Sequence, residues 1–339
     1  MNQEDEGSFE MGPLPDALGI SEAFFDFQQR LSQVAKIDRP VLIIGERGTG
    51  KELAASRLHY LSSRWQGPLV ALNCAALAET VLESELFGHE AGAFTGAVKR
   101  RMGRFEAAEG GTLFLDEIGL VSMTVQEKIL RAVEYGIFQR VGGSNSVKVD
   151  VRIVGATNAD LPEMANRGKF KSDLLDRLSF DVLYLPPLRA RSEDIEHLAM
   201  HFAASMAQEL GLGDVPQFSS GALKSLNAYR WPGNIRELKN VVERTVYRSG
   251  GKRIDTIEFD PFVNPYLQGG EKRSASEGTE ASDDDQRPLP EKVKELEIRS
   301  LRSALRACGF KQTKAAERLG ISYHQFRALY RRLKDELDV

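Results

Sequence analysis

Short runs of apolar and β-branched residues recur along the first half of the chain, separated by longer stretches in which apolar residues have helical spacing. The runs cover Val41–Ile44, Leu69–Leu72, Thr112–Leu115, Val151–Val154 and Val182–Leu185. Strands that alternate with helices usually pair in parallel, and the helices cover the sheet. The pattern therefore predicts an α/β fold built on a parallel sheet.

After Pro186 the strand pattern stops, and helical patterns follow at Ser192–Leu210, Gly221–Ala228 and Asn234–Ser249. At 339 residues the chain is too long for one ordinary core. The segment 267–290 is rich in Gly, Ser, Glu and Asp, a composition that cannot form a core. The predicted divisions are a tail at 1–15, an α/β subdomain at 16–187, a helical subdomain at 188–266, a linker at 267–290 and a small all-α domain at 291–339.

The last domain carries a local excess of positive charge, although the whole chain has a net charge of −4. Two short helices are predicted at Gln312–Leu319 and Tyr323–Leu333, with Gly320 at the turn and Ser322 as the N-cap. This pattern is typical of a helix-turn-helix, and the alternative is a basic helical hairpin that binds nothing. Candidate base-reading residues are Tyr323, His324, Gln325 and Arg327, and candidate phosphate-binding residues are Lys311, Lys314, Arg331 and Arg332.

A glycine-rich loop joins the first strand to a predicted helix at Glu52–Leu61. It reads Gly45-Glu46-Arg47-Gly48-Thr49-Gly50-Lys51. In such a loop the glycines let backbone N–H groups turn inward toward phosphates, and the lysine neutralises the β and γ oxygens. Glu52 stands where many of these loops have a Ser or Thr that binds magnesium, so metal coordination must depend on other groups.

Two adjacent carboxylates, Asp116 and Glu117, end the third apolar run. The two carboxylates of such a pair can have different roles. Asp116 can bind Mg²⁺, and Glu117 can act as the general base for an attacking water. Thr157 and Asn158 follow the next run, where Asn158 can reach the γ-phosphate or the water. The alternative for the carboxylates is an ordinary acidic pair on the surface.

The segment Gly92-Ala93-Phe94-Thr95-Gly96-Ala97 combines small residues with a single large apolar side chain. Such a loop is expected to be mobile and cannot easily bury Phe94 within its own domain. We therefore predict an exposed apolar tip that contacts a partner. The alternative is an aromatic side chain buried beside a turn.

Other features of the sequence narrow the class of protein. The acidic N-terminus lacks the pattern of a secretory signal, and no apolar run approaches the length that spans a bilayer. Cys74 and Cys308 lie far apart, so neither a disulfide framework nor a thiolate metal site is indicated. We expect a cytoplasmic protein without membrane insertion.

Several motifs together resemble the AAA+ bacterial enhancer-binding proteins, which activate sigma-54 RNA polymerase, and the resemblance covers residues 16–339. It rests on the glycine-rich loop, the 92–97 segment and the following stretches: Glu85–Glu90, Gly111–Glu117, Asp173–Arg177 and Trp231–Leu238. The resemblance implies an AAA+ P-loop domain with a helical lid and a Fis-like helix-turn-helix domain.

The family resemblance also implies roles for individual residues in an ATPase that uses ATP and Mg²⁺. Lys51 would bind phosphate within the 45–52 loop, Asp116 would organise magnesium and Glu117 would activate water. Asn73 would hold Glu117 in an alternative orientation, as a switch. Thr157 and Asn158 would form the first sensor and Arg236 the second, while Arg177 would reach the ATP of the next subunit in a ring, typically a hexamer. Lys171 stands where the family usually has another arginine, so a finger role at this position is in doubt.

The expected partners also follow from the resemblance. Phe94 and Thr95 would engage sigma-54 and remodel the closed promoter complex of the holoenzyme into an open one. The Fis-type domain would bind enhancer DNA, usually as a dimer. Residues 57–66 and 323–329 are most similar to activators of phage-shock, or envelope-stress, operons.

The α/β subdomain starts near Met1, which leaves no room for a receiver or sensing domain, so control is expected from a repressor protein in trans. A candidate contact patch consists of Trp65, Tyr60 and Leu61. The alternative is that Trp65 belongs to the core.

Two further functions compete with the leading one. An AAA+ remodeller, such as a helicase loader or an unfoldase, would share Lys51, Asp116, Glu117 and Arg177, but the 92–97 loop and the basic helices disfavour it. A regulator that works with ordinary sigma factors and needs ATP only for assembly is disfavoured by the paired carboxylates.

Overall fold

The structure, a computed structural model, describes residues 17–262, 289–309 and 311–333. The chain divides into two compact units, Met1–Phe262 and Val263–Val339. The predicted tail at 1–15 and residues 267–288 of the predicted linker lie outside the described residues. The first helix of the second unit begins at Leu289, slightly before the predicted domain boundary at 291.

A parallel sheet forms the centre of the first unit. The strands of this unit are β1 (Val41–Ile44), β2 (Leu69–Asn73), β3 (Thr112–Asp116), β4 (Ile137–Gln139), β5 (Ser146–Lys148), β6 (Arg152–Thr157) and β7 (Asp181–Tyr184). The sheet has five strands in the order β2-β3-β6-β1-β7, and all neighbouring strands are parallel. The predicted α/β class with a parallel sheet is thus confirmed, with small shifts at the strand ends.

Helices cover both faces of this sheet. They are α1 (Glu22–Ala35), α2 (Lys51–Tyr60), α3 (Glu79–Phe87), α4 (Arg104–Ala107), α5 (Met123–Tyr135), α6 (Leu161–Asn166) and α7 (Ser172–Leu178). Because side chains alternate along a strand, Leu113 and Leu115 join the core beneath α3 and α5, whereas Phe114 joins the core beneath α1 and α2. Burial on both faces explains why these strands read as unbroken apolar runs.

Three helices form the lid: α8 (Ser192–Glu209), α9 (Ser220–Ala228) and α10 (Asn234–Ser249). They share a core in which Trp231 is fully buried and packs among Leu198, Leu238 and Val242. The Trp231 indole N–H donates a hydrogen bond to the carbonyl of Leu226 at 2.9 Å. A buried indole with its N–H satisfied fixes the turn before α10 against α9.

The sequence did not predict the hairpin of β4 and β5, whose antiparallel pairing runs from Ile137 opposite Lys148 to Gln139 opposite Ser146. Each strand has only three residues, too few to show a periodic pattern. The hairpin matters because it reaches the 92–97 loop.

The second unit contains α11 (Leu289–Ala307), α12 (Gln312–Arg318) and α13 (Tyr323–Leu333). Its core joins Leu301 and Leu305 of α11, Ala315 and Ala316 of α12, and Phe326 of α13. Ser322 caps α13 in a reciprocal arrangement: the Gln325 N–H donates to Ser322 Oγ at 3.3 Å, and the Ser322 N–H donates to Gln325 Oε1 at 3.0 Å.

Within the described ranges, no helix is both long enough and apolar enough to cross a lipid bilayer.

Candidate functional site

The predicted site residues meet where the parallel strands end. Asn73 and Asp116 are opposite each other at the ends of β2 and β3, and Thr157 ends β6 opposite Ile44 of β1. The carboxyl ends of parallel strands lie at one edge of a sheet, which is the usual place for a ligand site in an α/β fold. The structure therefore brings the 45–51 loop, the carboxylates and the polar residues of β6 together.

The glycine-rich loop leaves β1 and enters α2 at Lys51. Gly48 and Gly50 have φ angles of +80° and +102°, which a side chain would disfavour. The Thr49 hydroxyl donates to the Glu46 carbonyl at 2.8 Å, which closes the loop on itself. The result is a phosphate cradle at the N-terminus of α2, where the helix dipole favours an anion.

Lys51 is buried and lies between the loop and the acidic pair. Its Nζ is 3.0 Å from the Gly45 carbonyl oxygen and 3.4 Å from Glu117 Oε1. Glu117 has a φ of 54°, an uncommon conformation for a non-glycine residue, and its N–H donates to Asp116 Oδ1 at 3.1 Å. The backbone turn thus aims the two neighbouring carboxylates in different directions.

Burial raises the pKa of Asp116 above its ordinary value, and the negative charge of Glu117 raises it further, against opposing effects of Lys51 and Arg236. A cation bound at Asp116 would offset both effects on this carboxyl. Carboxylate oxygens are also the ligands that Mg²⁺ prefers. The donor set therefore fits a divalent cation on Asp116, while Glu52 is exposed on the first turn of α2.

The remaining residues of this edge are positioned as follows. The Asn73 side-chain amide donates to Asp116 Oδ2 at 3.4 Å, so Asn73 contacts Asp116 here, while Glu117 faces Lys51. Thr157 is buried, and its hydroxyl accepts a hydrogen bond from the Ala159 N–H at 3.0 Å. Asn158 is exposed beside it.

A cavity of about 550 Å³ extends from the glycine-rich loop to the lid. Its walls include Leu18 and Phe24 near the N-terminal side, Leu53 of α2 and Arg236 of α10. Its apolar side can hold a flat base, and its polar end lies at the phosphate cradle. Arg236 is exposed toward this space, and its backbone N–H lies 3.3 Å from the Gly48 carbonyl oxygen.

The loop and the lid approach each other closely at Gly48. A Cβ atom placed on Gly48 would stand 2.3 Å from the carbonyl oxygen of Gly233. The ion pair between Arg189, at the start of the lid, and Glu46 of the loop reinforces this junction. A second ion pair, between Arg191 and Asp194, is buried at the start of α8. The sequence patterns predicted neither pair, because Arg189 and Glu46 are 143 residues apart and the i,i+3 spacing of Arg191 and Asp194 does not by itself indicate burial.

Hydrogen bonds from Arg189 lower the pKa of the Glu46 carboxyl despite its partial burial. The exposed Arg47 lies beside it in the loop.

The two basic residues considered as fingers lie at the ends of α7. Arg177 is exposed, and its guanidinium is 2.6 Å from Glu134. Lys171 precedes the helix, with its Nζ 3.7 Å from Glu127. Both therefore have acidic neighbours within the chain, and an approaching subunit would have to exchange these contacts for its own.

The 92–97 loop is a compact turn with an exposed apolar tip. The Gly92 N–H donates to the Ala97 carbonyl at 2.8 Å, and Gly92 and Gly96 have φ angles of +82° and +106°. The Phe94 side chain is 47% exposed and lies edge-on to the His89 ring, with the ring centroids 5.0 Å apart. Thr95 is exposed at the tip, whereas Ala97 is buried at the base.

The base of this loop is held by the unpredicted hairpin. Arg140, at the end of β4, is buried and pairs with Glu90 and Glu106, with Nη1 3.1 Å from Glu90 Oε1. A methyl group on Gly142 would stand 2.6 Å from the Cβ of Ala93. The loop is thus fixed at its base while its tip projects.

The candidate regulator patch lies on the turn after α2. Trp65 is 55% exposed, and Tyr60 and Leu61 are 42% and 44% exposed. The neighbouring Arg64 is held by Asp38 and Asp150, with Nη2 2.7 Å and 2.6 Å from their carboxylates. The structure therefore presents these apolar side chains on an anchored turn.

The surface of α12 and α13 carries the predicted DNA-binding residues. All of them are exposed: Lys311, Lys314, Tyr323, His324, Gln325, Arg327, Arg331 and Arg332. Four of them have contacts within this unit: Gln325 takes part in the Ser322 cap, Arg332 pairs with Glu297 of α11, and the rings of Tyr323 and His324 lie edge-on to each other. The remaining side chains form a basic face.

Comparisons with known families agree with this geometry along the whole chain. The sigma-54 interaction domain matches residues 17–183, the AAA+ ATPase lid domain matches residues 189–276, and the Fis family of bacterial regulatory proteins matches residues 292–335.

Individual relatives extend the match. The chain is 54% identical over 322 residues to the Psp operon transcriptional activator of Escherichia coli, covering 93% of this chain and 97% of that protein. It is 44% identical to the regulatory protein AtoC of Escherichia coli over 89% of this chain, but it spans only 64% of AtoC.

A solved structure of NtrX from Brucella abortus is 34% identical, with a TM-score of 0.67, over 95% of this chain and 69% of NtrX. A second structure of NtrX from Brucella abortus, crystallised in complex with ATP, is 33% identical to this chain with a TM-score of 0.67. The match covers 96% of this chain and 70% of NtrX. The chain therefore belongs to the sigma-54-dependent transcriptional activators, as an AAA+ ATPase with a helical lid and a Fis-type DNA-binding domain.

Proposed function

We propose that this protein binds enhancer DNA and uses ATP hydrolysis in a hexameric ring to convert the closed complex of sigma-54 RNA polymerase into an open complex. The observation that supports this most is the exposed tip of Phe94 and Thr95, held at its base on the same domain as the phosphate cradle. A phage-shock operon as the target is supported by the 54% identity to the Psp activator over nearly its whole length.

Lys51 would neutralise the β and γ oxygens of bound ATP, and Asp116 would hold Mg²⁺, whose charge would stabilise the phosphoryl group during transfer. Glu117 takes the proton of the attacking water. Its carboxylate must leave Lys51 for this, since the two are 3.4 Å apart in the structure. Asn73 and Asn158 border the same edge and orient the carboxylates and the water.

The ring is proposed from the position of Arg177, which is exposed on α7 and pairs with Glu134 of α5. An arginine supplied in trans couples hydrolysis to assembly, because the site is complete only when a neighbouring subunit is present. Lys171 keeps a positive charge at the second position but lacks the planar fork of an arginine.

A repressor contact in trans is proposed for Trp65, Tyr60 and Leu61. The support is their exposure on a turn that Arg64 anchors on two sides. Aromatic side chains on a fixed turn lose little entropy on binding and are frequent interface anchors. Trp65→Ala should retain ATP turnover and promoter activation while losing inhibition by the repressor, and retained inhibition would remove the patch from the proposal.

The main experiment measures ATP-dependent open complexes with purified sigma-54 polymerase, alongside ATP turnover without polymerase. Thr95→Ala and Phe94→Ala should hydrolyse ATP at close to the wild-type rate but form few or no open complexes. Phe25→Ala, at an exposed phenylalanine of α1, is the matched control and should behave as wild type. Normal open-complex formation by both tip variants would refute the coupling role of the loop.

A further inference from the structure

Asn234, the first residue of α10, is fully buried at the junction of the lid and the phosphate loop. Its backbone has a φ of 52°, in the left-handed region. Asparagine tolerates this conformation better than most residues, but a non-glycine residue held there usually has a reason. The reason lies in its side chain.

The side chain of Asn234 forms hydrogen bonds to two separate segments. Its Oδ1 accepts from the Leu188 N–H at 2.8 Å, at the start of the lid. Its Nδ2 donates to Glu46 Oε2 and to the Arg47 carbonyl, both at 3.1 Å, in the phosphate loop. A single amide group thus joins the phosphate loop, the turn that leaves the sheet and the helix that carries Arg236.

The chemistry of the contacts selects an asparagine. One partner is a backbone donor and the other two are acceptors, so the group must both accept and donate. A carboxylate would face Glu46 with a second negative charge, and an alanine would lose all three bonds. A glycine would fit the backbone conformation but leave the buried polar partners unsatisfied.

The same junction lies next to Arg236, the residue expected to sense the bound nucleotide. Arg236 is two positions further along the first turn of α10, and its N–H lies 3.3 Å from the Gly48 carbonyl oxygen. Gly48 has no room for a side chain because the Gly233 carbonyl would lie 2.3 Å from its Cβ. A change in the loop geometry on binding phosphate would therefore act on the start of α10 through these direct contacts.

We propose that Asn234 is a positioning residue that couples the phosphate loop to the lid and thereby sets Arg236 relative to the triphosphate. The inference rests on the ATPase activity of the chain and does not depend on the sigma-54 step. Asn234 acts through its hydrogen bonds to Glu46 and Arg47 and through the start of α10.

The test compares Asn234→Gly with wild type in the full-length protein, because glycine accepts the positive φ and removes only the side chain. We expect the KM for ATP to rise about tenfold and kcat to fall several-fold, as for a displaced catalytic group. Asn227→Ala is the matched control, since Asn227 is an exposed lid residue that donates to Glu196 at 2.6 Å. It should leave both constants unchanged.

A double-mutant cycle separates positioning from a merely structural role. If Asn234 acts through Arg236, then Asn234→Gly should add little to the loss already caused by Arg236→Ala. Independent action would instead multiply the two losses. Turnover is measured without polymerase, so failure of the sigma-54 proposal cannot imitate failure of this one.

A charge test uses the contact with Glu46 directly. Asn234→Asp keeps the acceptor for Leu188 but sets two carboxylates against each other, and the KM for ATP should rise further than in Asn234→Gly. In the Glu46→Gln background the additional effect of Asn234→Asp should shrink to about threefold or less, because a side-chain amide can donate to the new carboxylate.

Three outcomes would overturn the proposal: wild-type KM and kcat in folded Asn234→Gly, fully multiplicative losses in both cycles, or failure of both Asn234 variants to fold. The last would make Asn234 a residue of the fold alone.

Discussion

At the scale of single residues, the site combines features that reduce the stability of the folded protein. Asp116 and Glu117 are adjacent carboxylates, and Glu117 has a left-handed backbone. Strained or like-charged groups persist where function requires them and the surrounding structure enforces them. Asp116, whose pKa is raised by burial and by Glu117, is the clearest example.

The raised pKa of Asp116 has a testable effect on the stability of the protein. Because the folded-state pKa of Asp116 lies above its unfolded value, stability from the protonated carboxyl is present at low pH and is lost as the pH rises through the folded pKa. Asp116→Asn should therefore raise the melting temperature at neutral pH, by an amount that shrinks as the pH falls toward the unfolded pKa.

The same variant should lose at least ~100-fold in ATP turnover, because it removes the carboxylate proposed to hold the Mg²⁺ ion. Thermal unfolding between acidic and neutral pH, without nucleotide, provides the measurement. Asp26→Asn, at an exposed position of α1, controls for the loss of one negative charge. A melting temperature for Asp116→Asn below the wild-type value at neutral pH would contradict the prediction.

At the scale of elements, Asp194 of α8 forms a buried ion pair with Arg191 and accepts hydrogen bonds from Ile20 and Ser21, just before α1. Burial alone would raise the pKa of Asp194, but hydrogen bonds from the Ile20 N–H, Arg191 and Ser21 outweigh it and lower this pKa. Arg191 Nε is 2.6 Å from Asp194 Oδ2, and the guanidinium also lies 4.0 Å from the centre of the Phe24 ring. The lid is therefore tied to the α/β subdomain on the N-terminal side of the cavity.

We expect Asp194→Ala to lower the free energy of unfolding by about 3–5 kcal/mol, because it leaves Arg191 charged and unpaired in the interior. The measurement is urea unfolding of Asp194→Ala and of a control variant, Arg167→Ala. Arg167→Ala, which breaks an exposed pair with Glu163, should cost at most about 1 kcal/mol. Equal losses of unfolding free energy in the two variants would show that the buried pair contributes no more to stability than the exposed one.

Sequence patterns predicted the elements better than the contacts between them. The five strands of the main sheet, the three lid helices and the two helices joined by the turn at Gly320 follow from runs of apolar residues and from turn residues, because those signals are local. The phosphate loop and the carboxylates were found for the same reason: each is a short segment at the end of a strand.

The contacts of Glu46 with Arg189 and Asn234 could not be predicted, since they join positions 143 and 188 residues apart and leave no periodic trace. The hairpin beneath the 92–97 loop was missed because its strands are short. Its turn residues, Gly142 and Gly143 between short apolar runs, were the available signal.

At the scale of the whole molecule, the chain separates hydrolysis from DNA recognition. The cavity and the carboxylates belong to the first compact unit, and the basic face of α12 and α13 belongs to the second. Each unit has its own core, so a substitution on one surface should leave the other activity intact.

The DNA-binding surface can be tested with a pair of arginines on α13. Arg327→Ala should weaken enhancer binding by about 1–3 kcal/mol, as expected for a base-edge contact, while ATP turnover stays unchanged. Arg332→Ala should weaken it much less, because Arg332 pairs with Glu297 within the same unit. Enhancer footprints at fixed salt concentration give both values, and equal effects would place the recognition face elsewhere.

The close approach of Gly48 to the lid has a consequence for tolerated variation. If phosphate binding were the only constraint, a small residue would be required at position 48 only for binding the nucleotide. Here the Gly233 carbonyl of the protein itself excludes a side chain at this position, independently of any contact with phosphate. A library of substitutions at position 48, selected only for a folded domain and never exposed to ATP, should therefore already return glycine.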